Sequence, residues 1–224
     1  MPLDPRRVRA ILFDVDGTLS DTDDLWTERL AGWFQPVHRV FPRGDAHAFA
    51  RRLLMGLETP ANSAFALLDW VELDGPAMRL LDWFTRHRGN TPSAKYWIIP
   101  GVVEMLANLS ARLPLAVVSA RDEAATLGFL DQFDLRCYFK AIATTHTCRH
   151  TKPFPQPVLW AAGELGMHPE DCLMVGDTTV DIRAGRAAGA QTLGVLCGFG
   201  TQRELRRAGA DQIIATTAAL ATLL

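Results

Sequence analysis

Short apolar runs, separated by stretches in which apolar residues recur at helical spacing, give this chain its most regular pattern. Ile11, Leu12 and Phe13 form the first run, and consecutive large apolar residues are typical of a strand buried on both faces of a parallel sheet. Similar runs alternate with helical stretches from about residue 98 onward, which predicts a parallel sheet wrapped by helices. These later runs are 115–118, 141–143, 172–175, 192–196 and 213–214.

The pattern between residues 20 and 97 differs, because its apolar residues fall at spacings of three and four rather than in runs. Proline and glycine breakers divide it into roughly four helices. We therefore predict two domains. Residues 1–19 and 98–224 form an α/β core, and residues 20–97 form an inserted, all-helical domain.

Two carboxylates follow directly on the first apolar run. Because side chains alternate along an extended chain, Asp14 and Asp16 point to one side and Val15 to the other. They stand at the carboxyl end of a predicted strand, where open α/β sheets bind ligands. Gly17 then allows a sharp turn and a close approach of a ligand. Asp-Gly is also a hairpin signal, but no alternating second strand follows, so we favour a ligand site.

Ser119 stands at the end of a second predicted strand. Its hydroxyl and the nearby backbone N–H groups can bind a phosphate oxygen. On its own, a serine here is explained more simply as the N-cap of the helix that begins near Asp122.

Lys152 is one of only three lysines in the chain, and the Pro-Phe-Pro that follows it restricts the backbone before a helix near residue 156. A fixed ammonium near several carboxylates can hold a phosphate and offset their mutual repulsion. A functional role is therefore favoured for this lysine.

The apolar run 172–175 ends in Gly176 and Asp177, and Asp181 follows about one helical turn later. Thr178 and Asp181 have the spacing of a capping box at a helix start. Asp177 and Asp14, at the ends of two strands, also offer the hard oxygen ligands that Mg²⁺ prefers. The segment therefore predicts a helix start and a metal site together.

These segments resemble the four motifs of the haloacid dehalogenase superfamily, in the same order along the chain. The phosphatase branch of that superfamily reads Asp-x-Asp-Gly-Thr-Leu, which residues 14–19 match. Its later motifs are a serine or threonine, a lysine before Pro-x-Pro, and Gly-Asp-x-x-x-Asp. Segments 99–109 and 198–211 also resemble the phosphoglycolate-phosphatase-like branch. Ala120 departs from the pattern, because an asparagine often follows the serine of motif two.

The resemblance implies a Rossmann-like parallel core with an inserted helical cap, and it implies a reaction. Asp14 would be the nucleophile that forms an aspartyl phosphate, and Asp16 would protonate the leaving alkoxide and then activate water. Mg²⁺ would be bound by Asp14, Asp177 and the backbone carbonyl of Asp16.

The remaining motif residues would bind the phosphoryl group or support the site. The predicted phosphate-binding residues are Thr18, with the backbone of its loop, Ser119 and Lys152. The predicted supporting residues are Gly17, Gly176 and Asp181.

The resemblance thus implies an Mg²⁺-dependent phosphatase that acts on a small phosphorylated metabolite. A phosphomutase of the β-phosphoglucomutase type uses the same core residues and stays an alternative. A non-enzymatic binding protein on the same fold is less favoured, because decayed sites usually lose a carboxylate or the lysine first. A dehalogenase is disfavoured because that branch lacks the second aspartate, here Asp16.

Substrate choice is expected to lie in the cap, which would close over the core. Polar candidates there are Arg51, Arg52, Thr59 and Asn62. Trp26, Trp33, Trp70, Trp83 and Trp97 could line an aromatic pocket, although packing of a helical bundle explains most of them more simply.

Composition narrows the class of partner and compartment. The chain has 224 residues, 48% of them hydrophobic, and a net charge of −2, so nothing favours a nucleic-acid or membrane partner. Its four cysteines have neither metal-ligand spacing nor a disulfide pattern, which is typical of reduced thiols in a cytoplasmic protein. We expect a monomer or a homodimer, between which the sequence does not decide.

Overall fold

The computed structural model describes residues 2–21 and 96–224, and in these ranges a six-stranded, entirely parallel sheet forms the centre of the fold. Its strand order is β3-β2-β1-β4-β5-β6. Every strand predicted from an apolar run is therefore confirmed. The strands are β1 (Ala10–Phe13), β2 (Leu115–Val118), β3 (Phe139–Ala143), β4 (Cys172–Gly176), β5 (Gln191–Val195) and β6 (Gln212–Ile214).

Helices follow the strands in alternation, as the spacing predicted. The α-helices of the described ranges are α1 (Val102–Ser110), α2 (Glu123–Gln132), α3 (Gln156–Glu164), α4 (Thr179–Ala188), α5 (Gln202–Ala208) and α6 (Leu220–Leu223). Short 3₁₀ segments lie at Pro5–Arg7, Arg136–Tyr138, Pro169–Asp171 and Thr217–Ala219. None of the helices in residues 2–21 and 96–224 has the length and apolar character needed to cross a membrane.

The strands are apolar along their whole length because both faces of the sheet are covered. In β1, Ile11 and Phe13 pack into one core with Met105 of α1, while Leu12 packs into a second core with Val158 of α3. All four residues of β1 are fully buried. Since burial of each large apolar side chain contributes about 1.5–3 kcal/mol, this central strand anchors the sheet.

The chain does not form a hairpin after β1. Phe13 is paired in parallel register with Val117 of β2 on one side and with Val175 of β4 on the other. Gly17 takes a φ of +68°, in the left-handed region that glycine tolerates, and turns the chain away from the sheet. The carboxyl ends of β1, β2 and β4 thus meet at one edge of the sheet, and the segments that follow them build the site.

The predicted helical cap falls almost entirely on residues 22–95, which lie outside the described residues, as do its polar candidates and all of its tryptophans except Trp97. The division into two domains stays a prediction. The described ends flanking that segment run side by side, because the N–H of Asp21 donates to the carbonyl of Trp97 at 2.9 Å and Ser20 bridges to Ile98.

Candidate active site

Asp14 and Lys152 form the buried centre of the site. Asp14 directly follows β1, and its N–H donates to the carbonyl of Val175 at 2.9 Å, which fixes its backbone against β4. The Nζ of Lys152 lies 2.7 Å from Oδ1 of Asp14 and 2.6 Å from Oδ1 of Asp181. Lys152 is 6% exposed, so its charge is satisfied by these carboxylates rather than by water.

Burial sets the charge states of this group. It raises the pKa of Asp14 from 3.8 to about 7, and repulsion from Asp181 adds to the effect while attraction to Lys152 opposes it. Burial alone would lower the pKa of Lys152, but the attraction of Asp14 and Asp181 outweighs it and raises that pKa above its usual value. The lysine is therefore fixed in its charged form, and the carboxylates around it still exceed its single positive charge.

Asp181 is held by the start of α4. Its Oδ2 accepts hydrogen bonds from the N–H of Thr178 at 3.0 Å and from the Thr178 hydroxyl at 2.6 Å, in the predicted capping box. Gly176 is required beside it, because a Cβ on that residue would lie 2.3 Å from Cβ of Asp181. Both oxygens of Asp181 thus accept from protein donors, which suits a residue that orients Lys152.

Asp177 is fully buried and lies between two glycine-containing loops. Its Oδ1 accepts from the hydroxyl of Thr18 at 3.3 Å, and its Oδ2 accepts from the N–H of Phe199 at 2.8 Å. A Cβ on Gly17 or Gly198 would lie 2.3 or 2.2 Å from that same Oδ2. Only glycine lets these two loops approach the carboxylate so closely.

Oxygen atoms of Asp14, Asp177 and Asp181 lie within 4.8 Å of one another, and all three residues are buried. Carboxylate oxygens are the ligands that hard divalent cations prefer, and Lys152, which contacts Asp14 and Asp181, brings a single positive charge to these three acids. Among the described residues, this cluster fits a cation such as Mg²⁺.

Ser119 is buried at the carboxyl end of β2, and its N–H donates to the carbonyl of Ala143 at 2.9 Å. It is not the N-cap of α2. That position belongs to Asp122, whose side chain accepts from the N–H of Ala125 at 2.8 Å. The Ser119 oxygen accepts instead from the N–H of Arg121 at 3.1 Å, and no acceptor within residues 2–21 and 96–224 takes the serine O–H, which can be aimed at a ligand.

Asp16 lies closer to the surface than Asp14, with a third of its side chain exposed. Nε of Arg121 donates to Oδ2 of Asp16 at 3.0 Å, and Nη2 of the same guanidinium contacts Oδ1. The second motif-one carboxylate is thus held by its own cation, separate from Lys152.

Comparison with known proteins identifies the family. The family model for haloacid dehalogenase-like hydrolases, which describes the sequences of that family, matches residues 11–195 of this chain. The chain belongs to this family. It is 30% identical to the pyrophosphatase PpaX of Oceanobacillus iheyensis over 92% of both chains. It is 31% identical to the phosphoglycolate phosphatase of Escherichia coli, over 86% of this chain and 82% of that one.

Solved structures of the family share the fold. A haloacid dehalogenase-like protein from Streptococcus pneumoniae superimposes with a TM-score of 0.67 at 22% identity, over 97% of this chain and 99% of that one. CbbY from Rhodobacter sphaeroides, solved in complex with phosphate, gives a TM-score of 0.62 at 22% identity over 95% and 96%. The Rossmann-like parallel α/β core inferred from the motifs is therefore confirmed.

In this family member, the predicted site residues of the core meet at one edge of the sheet. Lys152 joins Asp14 to Asp181, and Thr18 joins Asp177, while Asp16 turns to Arg121. The catalytic, metal-binding and phosphate-binding roles assigned to them stay predictions.

Sequence reasoning missed Arg121 and the N–H of Phe199. The position of Arg121, between the serine that ends β2 and the aspartate that caps α2, could have indicated that its side chain lies near the site. The contact of Phe199 has no side-chain signal, because it is made by the backbone.

Proposed function

We propose that this chain is an Mg²⁺-dependent phosphatase that hydrolyses a small phosphomonoester through an aspartyl-phosphate intermediate. The proposal is carried by the buried cluster of Asp14, Asp177 and Asp181 with Lys152 fixed between two of them. Ser119 follows β2, the strand paired with β1, and the chain is a member of a hydrolase family.

The first half of the reaction needs a nucleophile and an acid. A carboxylate oxygen of Asp14 attacks phosphorus, the bond from phosphorus to the leaving oxygen breaks, and Asp16 gives that oxygen its proton. Lys152 and the Ser119 hydroxyl hold the phosphoryl oxygens in line with the attack. A rigid, buried lysine suits this task because no reorganisation is needed when charge develops.

The second half regenerates the enzyme. Asp16, now a carboxylate, takes a proton from water, whose oxygen attacks phosphorus and displaces the Asp14 carboxylate. Inorganic phosphate is released, and Asp16 again carries the proton for the next turnover. The partly exposed position of Asp16 fits a group that must meet both the leaving group and water.

Asp14 and Asp177, with the backbone carbonyl of Asp16, would hold Mg²⁺, while Asp181 supports Lys152. When bound, Mg²⁺ supplies the positive charge that lets an anionic phosphate approach these carboxylates. Two unit charges 4 Å apart interact by about 4 kcal/mol at an effective dielectric of 20, so this charge balance is a large part of the energetics.

The substrate is a small phosphorylated molecule. The names of the relatives, phosphoglycolate phosphatase and pyrophosphatase, give two compounds to test first. Sugar phosphates complete the comparison, because a phosphomutase of the β-phosphoglucomutase type would use the same core residues.

The test is phosphate release from phosphoglycolate, pyrophosphate, sugar phosphates and nucleotides, with and without Mg²⁺, for the native chain and Asp14→Asn. Asp131→Asn is the matched control, because Asp131 is an exposed carboxylate paired only with the surface residue Arg136 among the described residues. We expect Mg²⁺-dependent release that Asp14→Asn abolishes and Asp131→Asn retains.

Two results would contradict the proposal. Folded native protein that releases no phosphate from any compound would exclude a general phosphatase, and a separate test that detects isomerised sugar phosphate would then indicate the mutase. Release that persists in Asp14→Asn would exclude Asp14 as the nucleophile.

A further inference from the structure

Arg121 contacts the site twice, once through its backbone and once through its side chain. Its N–H donates to Oγ of Ser119 at 3.1 Å, and its Nε donates to Oδ2 of Asp16 at 3.0 Å. Nη2 contacts the other oxygen of the same carboxylate. A guanidinium that holds both oxygens fixes the plane of a carboxylate as well as its position.

The guanidinium is itself supported by an aromatic ring. Cζ of Arg121 lies 5.4 Å from the centre of the Tyr96 ring, within the range of a cation–π interaction. The backbone of Tyr96 exchanges two hydrogen bonds with the side chain of Gln132, at 3.1 and 2.9 Å. The Tyr96 ring also packs edge to face against Phe129. Contacts with helix α2 therefore fix Tyr96, and the Tyr96 ring in turn packs against Arg121.

We propose that Arg121 is a positioning residue for Asp16, and that Tyr96 fixes Arg121 in place. The proposal deepens the function proposed above and rests on it, because Asp16 is there the acid and then the base. A third of the Asp16 side chain is exposed, and the guanidinium contacts both of its carboxylate oxygens, which sets the position and the plane of the group. Misplacement of a reacting group by 1 Å can cost about a hundredfold in rate.

The first experiment separates positioning from substrate binding. In Arg121→Gln we expect kcat to fall about tenfold to a hundredfold, with KM and inhibition by inorganic phosphate nearly unchanged. Arg121→Lys keeps the charge but not the two-pronged contact, so its kcat should lie between those of the native chain and Arg121→Gln.

The matched control is Arg136→Gln. Arg136 lies 3.5 Å from Asp131 in a pair whose side chains are more than half exposed, and it should leave kcat and KM at native values. Tyr96→Phe keeps the aromatic ring and should therefore lose less of kcat than Tyr96→Leu, which removes the ring.

A double-mutant cycle shows whether Arg121 acts through Asp16. Once Asp16→Asn is present, adding Arg121→Gln should cause no further loss of kcat, because the residue being positioned no longer functions. The same four proteins also give denaturant midpoints, and we expect the two substitutions to be non-additive there too. This readout does not depend on activity.

The outcomes are distinct. Arg121→Gln with native kcat, or with a raised KM and native kcat, would overturn the positioning role. The second of these would assign Arg121 to the substrate, since its Nη1 is buried without a hydrogen-bond partner among the described residues. If the changes in denaturant midpoint caused by Arg121→Gln and Asp16→Asn are additive, the positioning role is also overturned. Absence of phosphate release by the native chain would instead refute the proposed function, while the midpoints still report on the pair.

Discussion

The two aspartates of the first motif are held in opposite ways, although only Val15 separates them. Asp14 is 6% exposed and shares the buried Lys152 with Asp181. The Asp16 side chain is a third exposed and is paired with Arg121, whose side chain is 17% exposed. A nucleophile must stay fixed while phosphorus approaches it, whereas an acid–base group must reach both the leaving group and water. The difference in burial matches the division of work that we propose for Asp14 and Asp16.

The largest effect should come from removing each carboxylate in turn. We expect Asp14→Asn to lower kcat by at least about a thousandfold with any substrate, because the proposed nucleophile is lost. Asp16→Asn should lower kcat by about 10²–10⁴-fold with alkyl phosphates, because their leaving group needs a proton. The rate of phosphoenzyme formation from p-nitrophenyl phosphate should fall far less, because that leaving group needs none.

Stopped-flow measurement of p-nitrophenol release checks this contrast. A burst of p-nitrophenol followed by slow turnover in Asp16→Asn, with none in Asp14→Asn, would support separate roles. Equal behaviour of the two variants would show that the comparison is wrong.

The second prediction concerns the two cations. Lys152→Gln leaves Asp14 and Asp181 buried without their counter-charge and should lower the free energy of unfolding by about 3–5 kcal/mol. Arg121→Gln leaves a carboxylate that water can reach, so the loss should be about 1 kcal/mol or less. Urea denaturation of the metal-free proteins measures both values, and an equal loss would contradict the difference in burial.

The third prediction concerns the pH dependence of the free energy of unfolding. Because the pKa of Asp14 is raised from 3.8 to about 7, chiefly by burial, the folded protein binds this proton more tightly than the unfolded chain. Ionisation of Asp14 therefore destabilises the metal-free fold as the pH rises from about 4 to 7, by up to about 1.4 kcal/mol per pH unit.

Asp14→Asn removes that contribution, so its unfolding free energy should decline less over the same range than that of the native chain. Urea midpoints at several pH values in the presence of a chelator give the two slopes. Parallel slopes would mean that Asp14 titrates at its ordinary pKa.

The sequence predicted most of the core because the physics there is local. Runs such as Leu12 and Phe13 are apolar since both faces of the sheet are covered, and Gly17 and Gly176 stand where a neighbouring aspartate leaves no room for a Cβ. Because the motifs follow predicted parallel strands, their order along the chain also predicted that Asp14, Lys152 and Asp177 lie at one edge of the sheet.

The arrangement around Asp16 could not be predicted in the same way. The contact of Arg121 depends on the path of the loop between β2 and α2, which places its guanidinium against Asp16 although 105 residues separate them in the chain. The hydrogen bond from the Thr18 hydroxyl to Asp177 likewise joins two loops, and the spacing of residues along the chain does not predict that these loops meet. Both contacts depend on how the strands are arranged in the folded sheet.

The most direct test of the account is to identify the residue that carries the phosphoryl group. Asp16→Asn is incubated with p-nitrophenyl phosphate and Mg²⁺, quenched in acid and digested for mass spectrometry. We predict one phosphoryl group on Asp14, absent without Mg²⁺ and absent from the double variant Asp14→Asn/Asp16→Asn. A phosphoryl group on another residue, or none on a protein that still releases p-nitrophenol, would contradict it.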